Sequence, residues 1–234
     1  TMPEEINRMA TDAIVDDLFV TEESGLKHLA HEGVASERVH FVGNTMIDSL
    51  HYALPRAKTS SMLADLGLQA GGYVLVTMHR PSNVDDPLQL RMLIDVLSVI
   101  SHDQPLVFPV HPRTRKNLQS MGIDVPAGLL MIDPLGYVDF LALMRSSAYV
   151  LTDSGGIQEE TTALRVPCIT SRTTTERPVT VELGTNILVE PTSAGILGAV
   201  AGIRAGNNRV GQVPPLWDGH AAERIAEVIT AHYS

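Results

Sequence analysis

The sequence predicts an α/β fold, a parallel sheet with helices on both faces, and three observations predict it. Short apolar runs rich in Val, Leu and Ile alternate with helical stretches along the 234 residues. These runs are apolar on both faces, as in strands covered on both sides. The third observation is the run Ala148-Tyr149-Val150-Leu151 followed by Thr152-Asp153-Ser154-Gly155-Gly156-Ile157-Gln158-Glu159-Glu160. It reads as a buried strand, a glycine turn and a helix N-terminus. Unpaired N–H groups at such a terminus suit a phosphate, and two glycines let an anion approach the backbone. Glu160, one helical turn beyond Gly156, is placed to accept hydrogen bonds from a ribose diol. Taken alone, the run also fits an ordinary glycine-bearing turn.

The elements follow in order. Thr1 suits a helix cap, Pro3 a first turn, and Glu4 and Glu5 the helix dipole. Ile6, Met9, Ala10, Ala13 and Ile14 then recur at helical spacing. Leu18-Phe19-Val20 reads as a strand, Thr21 as the cap of a helix ending near Gly33, and Val39–Val42 as a strand closed by Gly43-Asn44. The segment from Thr45 to Gln69 is helical, with Pro55 expected to break it. From Tyr73 onward the alternation is regular. Strands are expected at Tyr73–Met78, Pro105–Val110, Leu129–Ile132, Ala148–Leu151, Pro167–Thr170 and Asn186–Val189. Helices are expected at Pro87–Ile100, from Thr114, and at Tyr137–Arg145, Ile157–Leu164, Pro178–Leu183, Ala194–Ile203 and Gly219–Tyr233.

Composition narrows the function. Hydrophobic residues make up 44% of the chain and aromatics 4%, so the core is aliphatic. A net charge of −10 excludes a general nucleic-acid binder but leaves room for one basic pocket. The single cysteine, Cys168, forbids an internal disulfide, fits a reducing cytoplasm and reads as a buried core thiol. No stretch approaches the roughly 20 apolar residues of a membrane span. The opening residues carry no basic signal-peptide region.

Parallel strands place four polar loops on one sheet edge, where open α/β sheets bind ligands. They are Met78-His79-Arg80-Pro81-Ser82-Asn83, Val110-His111-Pro112-Arg113-Thr114-Arg115-Lys116, Asp133-Pro134-Leu135-Gly136-Tyr137-Val138-Asp139-Phe140 and the Ser154-Gly155-Gly156 turn. His79 is suited to donate to a phosphate or act as a general acid. Arg80, His111 and Arg113 either serve a second anion or line a solvated edge. Arg177, in Thr175-Glu176-Arg177-Pro178, is a partner for a diphosphate or for Glu160. Asp85 and Asp86 read as charges at a helix N-terminus. The nine histidines show no close ligand pairing in sequence, so no metal site is expected. Walker and nucleophile-elbow motifs do not occur.

Six collinear motifs carry a family resemblance. Thr1-Met2-Pro3-Glu4-Glu5-Ile6-Asn7-Arg8, Gly43-Asn44-Thr45-Met46-Ile47-Asp48, His79-Arg80-Pro81, Pro109-Val110-His111-Pro112, Thr152–Glu160 and Thr175-Glu176-Arg177-Pro178 resemble, in order and spacing, the non-hydrolysing UDP-N-acetylglucosamine 2-epimerases. The resemblance implies a Rossmann-like second lobe of a two-lobed, GT-B-type enzyme. It also implies interconversion of UDP-N-acetylglucosamine and UDP-N-acetylmannosamine through elimination and re-addition of UDP, with no metal or redox cofactor. By the same resemblance, Ser154, Gly155 and Gly156 cradle the diphosphate, and Glu160 binds the ribose. Arg177 lies near the nucleotide. Phe140 and the Leu135 backbone contact uracil. His79 and Glu4 are active-site groups, and Arg80 and His111 belong to a second, activating nucleotide-sugar site.

On this reading residues 1–42 close a first Rossmann-like lobe and 43–70 link the lobes. Residues 71–218 bind UDP, and 219–234 form a helix crossing back to the first lobe. The family's His-Val-Glu-Ala-Gly-Leu-Arg motif and an upstream Asp have no counterpart in the 234 residues. Two expected acid–base carboxylates are therefore missing, and the chain is expected to bind UDP without epimerising. Ser82 stands where many relatives have Glu. The family's homodimer forms through the first lobe. The rival readings are a UDP-sugar glycosyltransferase of the same two-lobed fold and a non-catalytic UDP-sugar-binding module.

Overall fold

The computed structural model describes residues 3–207 and 210–233, with the backbone alone described at residues 3–5 and 233. The expected cap at Thr1 lies outside the described residues. The chain forms two compact units, residues 1–49 with 215–234, and residues 50–214.

The first unit contains helix α1 (Pro3–Ile14), strand β1 (Leu18–Val20), helix α2 (Glu23–His31) and strand β2 (Val39–Phe41), and β1 and β2 pair in parallel. Leu18, Val20 and Leu29 form its small core. Thr21 does not cap α2. The N-cap residue is Glu22, whose carboxylate takes the Ser24 hydroxyl at 2.7 Å. The Thr21 carbonyl instead accepts the indole N–H of buried Trp217 at 2.9 Å. Gly43 has a φ of +89°, and a Cβ there would collide with the Leu216 carbonyl. Only glycine fits that backbone. Helix α12 (Ala221–Tyr233) starts on a borrowed cap: Asp48 accepts from the N–H groups of Ala221 and Ala222 at 3.1 and 2.7 Å. On α1, Ile6, Met9 and Ile14 are exposed.

Helix α3 (Thr45–Ala57) contains Pro55 rather than ending at it. A proline removes the bond to the residue four back, here His51, and its ring crowds that residue's carbonyl. Both residues are exposed, and the helix stops two residues later, so the freed carbonyl stays open to water. Helix α4 (Met62–Asp65) follows.

Among the described residues, the second unit holds six parallel strands, β3 (Val74–Thr77), β4 (Leu106–Pro109), β5 (Leu129–Ile132), β6 (Tyr149–Thr152), β7 (Cys168–Ser171) and β8 (Asn186–Val189), in the order β5-β4-β3-β6-β7-β8. The sheet is the parallel α/β architecture expected. Its residues divide by alternation. Val74, Val76, Phe108, Tyr149 and Leu151 face the core of helix α6 (Pro87–Ser101), helix α7 (Pro112–Ser120) and helix α11 (Ser193–Arg204). Tyr73, Leu75, Val107, Val150 and Cys168 face the core shared by α3 and helix α8 (Tyr137–Ser146). Cys168 is fully buried, and burial pushes its thiol up to about 11, so it is an inert core residue.

Several element starts differ from expectation for local reasons. Helix α6 begins on Asp86, whose side chain accepts from the N–H groups of Leu88 and Gln89, as its charge suggested. Helix α7 starts before Thr114, because His111 caps it and Pro112 fills its first position. The loop after β3 holds a short helix, α5 (Pro81–Val84), that hydropathy did not signal.

Candidate functional site

Strands β3 and β6 are neighbours at the point where the chain's order reverses, with β4 and β5 to one side and β7 and β8 to the other. Open α/β sheets bind ligands beyond the strand ends at such a point. His79-Arg80 follows β3, and Ser154-Gly155-Gly156 follows β6.

Asp153 joins the two loops. It has no solvent exposure. Its carboxylate accepts from the backbone N–H groups of His79 at 3.1 Å and Arg80 at 2.9 Å, and from Asn83 Nδ2 at 2.9 Å. The His79 ring nitrogen Nδ1 lies 3.0 Å away. Burial alone would raise Asp153, but the hydrogen bonds from His79, Asn83 and the Arg80 backbone outweigh it and hold the carboxyl below its ordinary value. The same hydrogen bond raises His79 against the opposing effect of its partial burial. The His79 side chain stays 58% exposed, so a buried anion presents an available, readily protonated imidazole at the crevice.

The glycine turn opens helix α9 (Gly155–Leu164), so both glycines lie in its first turn and not ahead of it. Ser154 is the extended N-cap residue and makes no side-chain cap bond. Its own N–H goes to Thr152 Oγ1 at 3.0 Å. The first-turn N–H groups are thus left for another acceptor. A Cβ built on Gly155 meets nothing within 4 Å, so this glycine faces open space and not a packed neighbour.

Glu160 and Glu159, side by side on α9, are both buried. Glu160 accepts the Tyr137 hydroxyl at 2.8 Å. Burial raises Glu160 above its ordinary value, a shift reinforced by Glu159 and opposed by the Tyr137 bond. Arg177 does not pair with Glu160, one of the two partners open to it in the sequence. Its Nε lies 2.8 Å from Glu159 Oε1, because the alternate residue on the helix faces the Thr175–Pro178 loop. Gln158 fixes that loop: it accepts from Thr175 Oγ1 at 2.7 Å and Asn186 Nδ2 at 3.0 Å, and donates to the Ser154 carbonyl at 3.0 Å.

Leu135 and Phe140 are partly buried and pack on the same core as Ile157 of α9. Arg80 donates through Nε to the Asp153 carbonyl at 3.1 Å and lies 3.9 Å from Glu176. Arg172 holds Glu176 more tightly, and that hydrogen bond pushes the Glu176 carboxyl down to about 2. A cavity of 320 Å³ lies beside Arg80, lined by Ser82, Asn83, Arg172, Thr173 and Thr174. His111 is committed to its cap, accepting from the Arg113 N–H at 3.2 Å, while Arg113 pairs with Asp85 at 2.6 Å. Glu4 lies in α1 of the other unit, and its side chain is outside the described residues.

Sequence spacing missed Asp153 as a hub, Tyr137 as a partner of Glu160, and Gln158. It also missed a histidine cluster in the first unit, where ligand atoms of Asp17, His40 and His232 lie within 4.8 Å of one another. His40 Nε2 stands 2.7 Å from Asp17, a hydrogen-bond length. Ligands about a cation bonded at roughly 2.0–2.1 Å stand further apart. The cluster ties α12 to β2.

Comparison with known proteins shows the family. Residues 1–230 match the family described as UDP-N-acetylglucosamine 2-epimerase. The chain is 36% identical to the UDP-N-acetylglucosamine 2-epimerase of Methanocaldococcus jannaschii over 98% of its own length and 64% of the relative's. It is 38% identical, over 80% of its length and 52% of the relative's, to the UDP-2,3-diacetamido-2,3-dideoxy-D-glucuronate 2-epimerase of Pseudomonas aeruginosa. The structure of the M. jannaschii enzyme in complex with UDP-GlcNAc and UDP superposes with a TM-score of 0.85, covering 98% of this chain and 65% of that one. The Neisseria meningitidis enzyme bound to UDP-GlcNAc, 30% identical, gives 0.86, covering 98% of this chain and 65% of that one. Among the described residues, no helix is long and apolar enough to cross a membrane. The chain spans about 64% of the length of the M. jannaschii relative, and it belongs to the UDP-N-acetylglucosamine 2-epimerase family.

Proposed function

We propose that this chain carries the UDP-binding part of a non-hydrolysing epimerase that interconverts UDP-N-acetylglucosamine and UDP-N-acetylmannosamine. The observation that carries the reading is the meeting of the open α9 N-terminus with His79, held through Asp153, at the reversal point of the sheet. The diphosphate sits at the Ser154 turn on the first-turn N–H groups of Gly155 and Gly156, which hold negative charge. Glu160 takes the ribose diol, Phe140 and the Leu135 backbone the uracil, and Arg177 the nucleotide's outer edge.

In the reaction a base removes the C2 proton. The C2–H electrons form the C1–C2 double bond, and the C1–O bond breaks toward the diphosphate, leaving 2-acetamidoglucal and UDP. Charge develops on the leaving phosphate oxygen, where fixed donors stabilise the transition state most. His79 and the α9 N-terminus are those donors. UDP then re-adds while C2 is protonated on the opposite face. Glu4 is the one acid–base or orienting carboxylate of the family present in these residues. The 234 residues hold no counterpart of the other two, and each such group is typically worth about 10²–10⁴-fold. The chain by itself therefore binds the nucleotide without turning it over. Arg80 and His111 are assigned to a second nucleotide-sugar site, and the whole enzyme to a homodimer.

Proton NMR in deuterium oxide tests both halves of the reading. With UDP-N-acetylglucosamine, saturation transfer from the protein reaches the uracil and ribose protons while the C2 proton signal persists. Loss of that signal would overturn the inactivity of the chain alone. Absent saturation transfer from a folded chain would overturn the binding assignment.

A further inference from the structure

Glu160 and Glu159 are equally buried, yet the structure uses them differently. Glu159 meets Arg177, whereas Glu160 meets the Tyr137 phenol. Tyr137 opens α8 and is 42% exposed, over a carboxylate that is 4% exposed. A carboxylate offers about four lone-pair sites. The phenol takes one, on Oε1, and among the described residues no other protein donor reaches Glu160. Oε2 stays available to hydroxyl donors from a ligand.

The position of this bond also matters. Leu135 and Phe140 flank Tyr137 on the segment that starts α8, and Glu160 shares α9 with the glycine turn. The 2.8 Å Tyr137–Glu160 bond therefore ties the segment assigned to the base to the helix assigned to ribose and diphosphate.

We infer that Tyr137 is a positioning residue for ribose recognition: it holds the Glu160 carboxylate with Oε2 free for the ribose diol, and so makes the site select a ribonucleotide over a 2′-deoxyribonucleotide. The inference rests on the UDP-binding reading above. The phenol acts through Glu160 and takes no part in bond making or breaking.

Calorimetric titration of the full chain and of Tyr137→Phe, each with UDP and with 2′-deoxy-UDP, tests it. The parent prefers UDP by about tenfold or more. Tyr137→Phe loses about tenfold in UDP affinity and little for 2′-deoxy-UDP, so the preference collapses. Phenylalanine keeps the ring at a half-exposed position, and a thermal melt confirms the fold. Glu160→Gln is the second variant: on its background Tyr137→Phe has no further effect on the UDP preference. A Tyr137→Phe chain with undiminished preference, or with tighter UDP binding, would overturn the inference and leave UDP binding intact. A parent chain that binds both nucleotides equally would remove the ribose role alone. A folded parent that binds neither would overturn the nucleotide reading and this inference with it.

Discussion

The Asp153 carboxylate lies 3.0 Å from the His79 imidazole and also accepts the backbone N–H groups of His79 and Arg80. One buried anion thus fixes both the course of the loop after β3 and the ring at its start. Four donors converge on a group with no exposure, so the arrangement is costly to disturb.

The first prediction concerns that pair. Asp153→Asn replaces an acceptor oxygen with a donor facing N–H groups and is expected to cost about 2–4 kcal/mol in denaturant unfolding. Because the Asp153 hydrogen bond raises His79, the imidazole titration followed by NMR shifts down in the variant. The signs for stability follow from linkage. The contribution of His79 is complete below its ordinary value of about 6.5 and is lost as pH rises through the raised folded value. That of Asp153 is present above about 3.9 and is lost as pH falls through the lowered folded value. An unchanged His79 titration in Asp153→Asn would contradict the pairing.

Gly155 separates folding from binding. With open space where its Cβ would stand, Gly155→Ala is expected to leave stability unchanged or raise it by up to about 1 kcal/mol. The same methyl blocks approach to the first-turn N–H groups, so UDP affinity falls by about tenfold or more. A stable variant with full UDP affinity would show that the turn does not hold the diphosphate.

Glu160 predicts an acid limit to binding. Burial raises its carboxyl, so it protonates at a higher pH than an ordinary glutamate and then accepts fewer hydrogen bonds. UDP affinity weakens as pH falls through that raised value. Titrations across the range on the parent and on Glu160→Gln check this, since the diphosphate and His79 titrate in both. The difference between the two narrows toward acid pH; a constant difference would exclude Glu160 as the titrating group.

Gln158 predicts a structural effect. Gln158→Ala leaves Thr175 and Asn186 without their shared acceptor and the Ser154 carbonyl without a donor. The expected loss is about 2–3 kcal/mol of stability, read from chemical denaturation. A loss below about 0.5 kcal/mol would show that the network does not hold the loop.

Much of the fold was legible in the sequence because strand cores and turn residues are local signals. Leu129–Ile132 and Asn186–Val189 are bounded as read. Pro55 misled because its rule ignores how near the helix end lies and whether the freed carbonyl meets water. The site was legible where it is contiguous, as in the Ser154–Glu160 run. Asp153 as a hub was not, because its donors lie on a loop some 70 residues earlier, brought near only by the pairing of β3 with β6. Tyr137 and Glu160 meet across 23 residues and two helices, a separation at which helical periodicity carries no information. Arg177 reads in the sequence as a partner for a diphosphate or for Glu160; its ion pair with Glu159 was not legible, because it depends on the facing of α9 toward the loop.

The central claim is that the crevice between β3 and β6 is a UDP site formed by this chain. Calorimetric titration with UDP, using ADP as control, tests it most directly. Saturable one-to-one binding of UDP in clear preference to ADP is the expected result. No UDP binding by a chain that melts cooperatively, or equal binding of ADP, would contradict it.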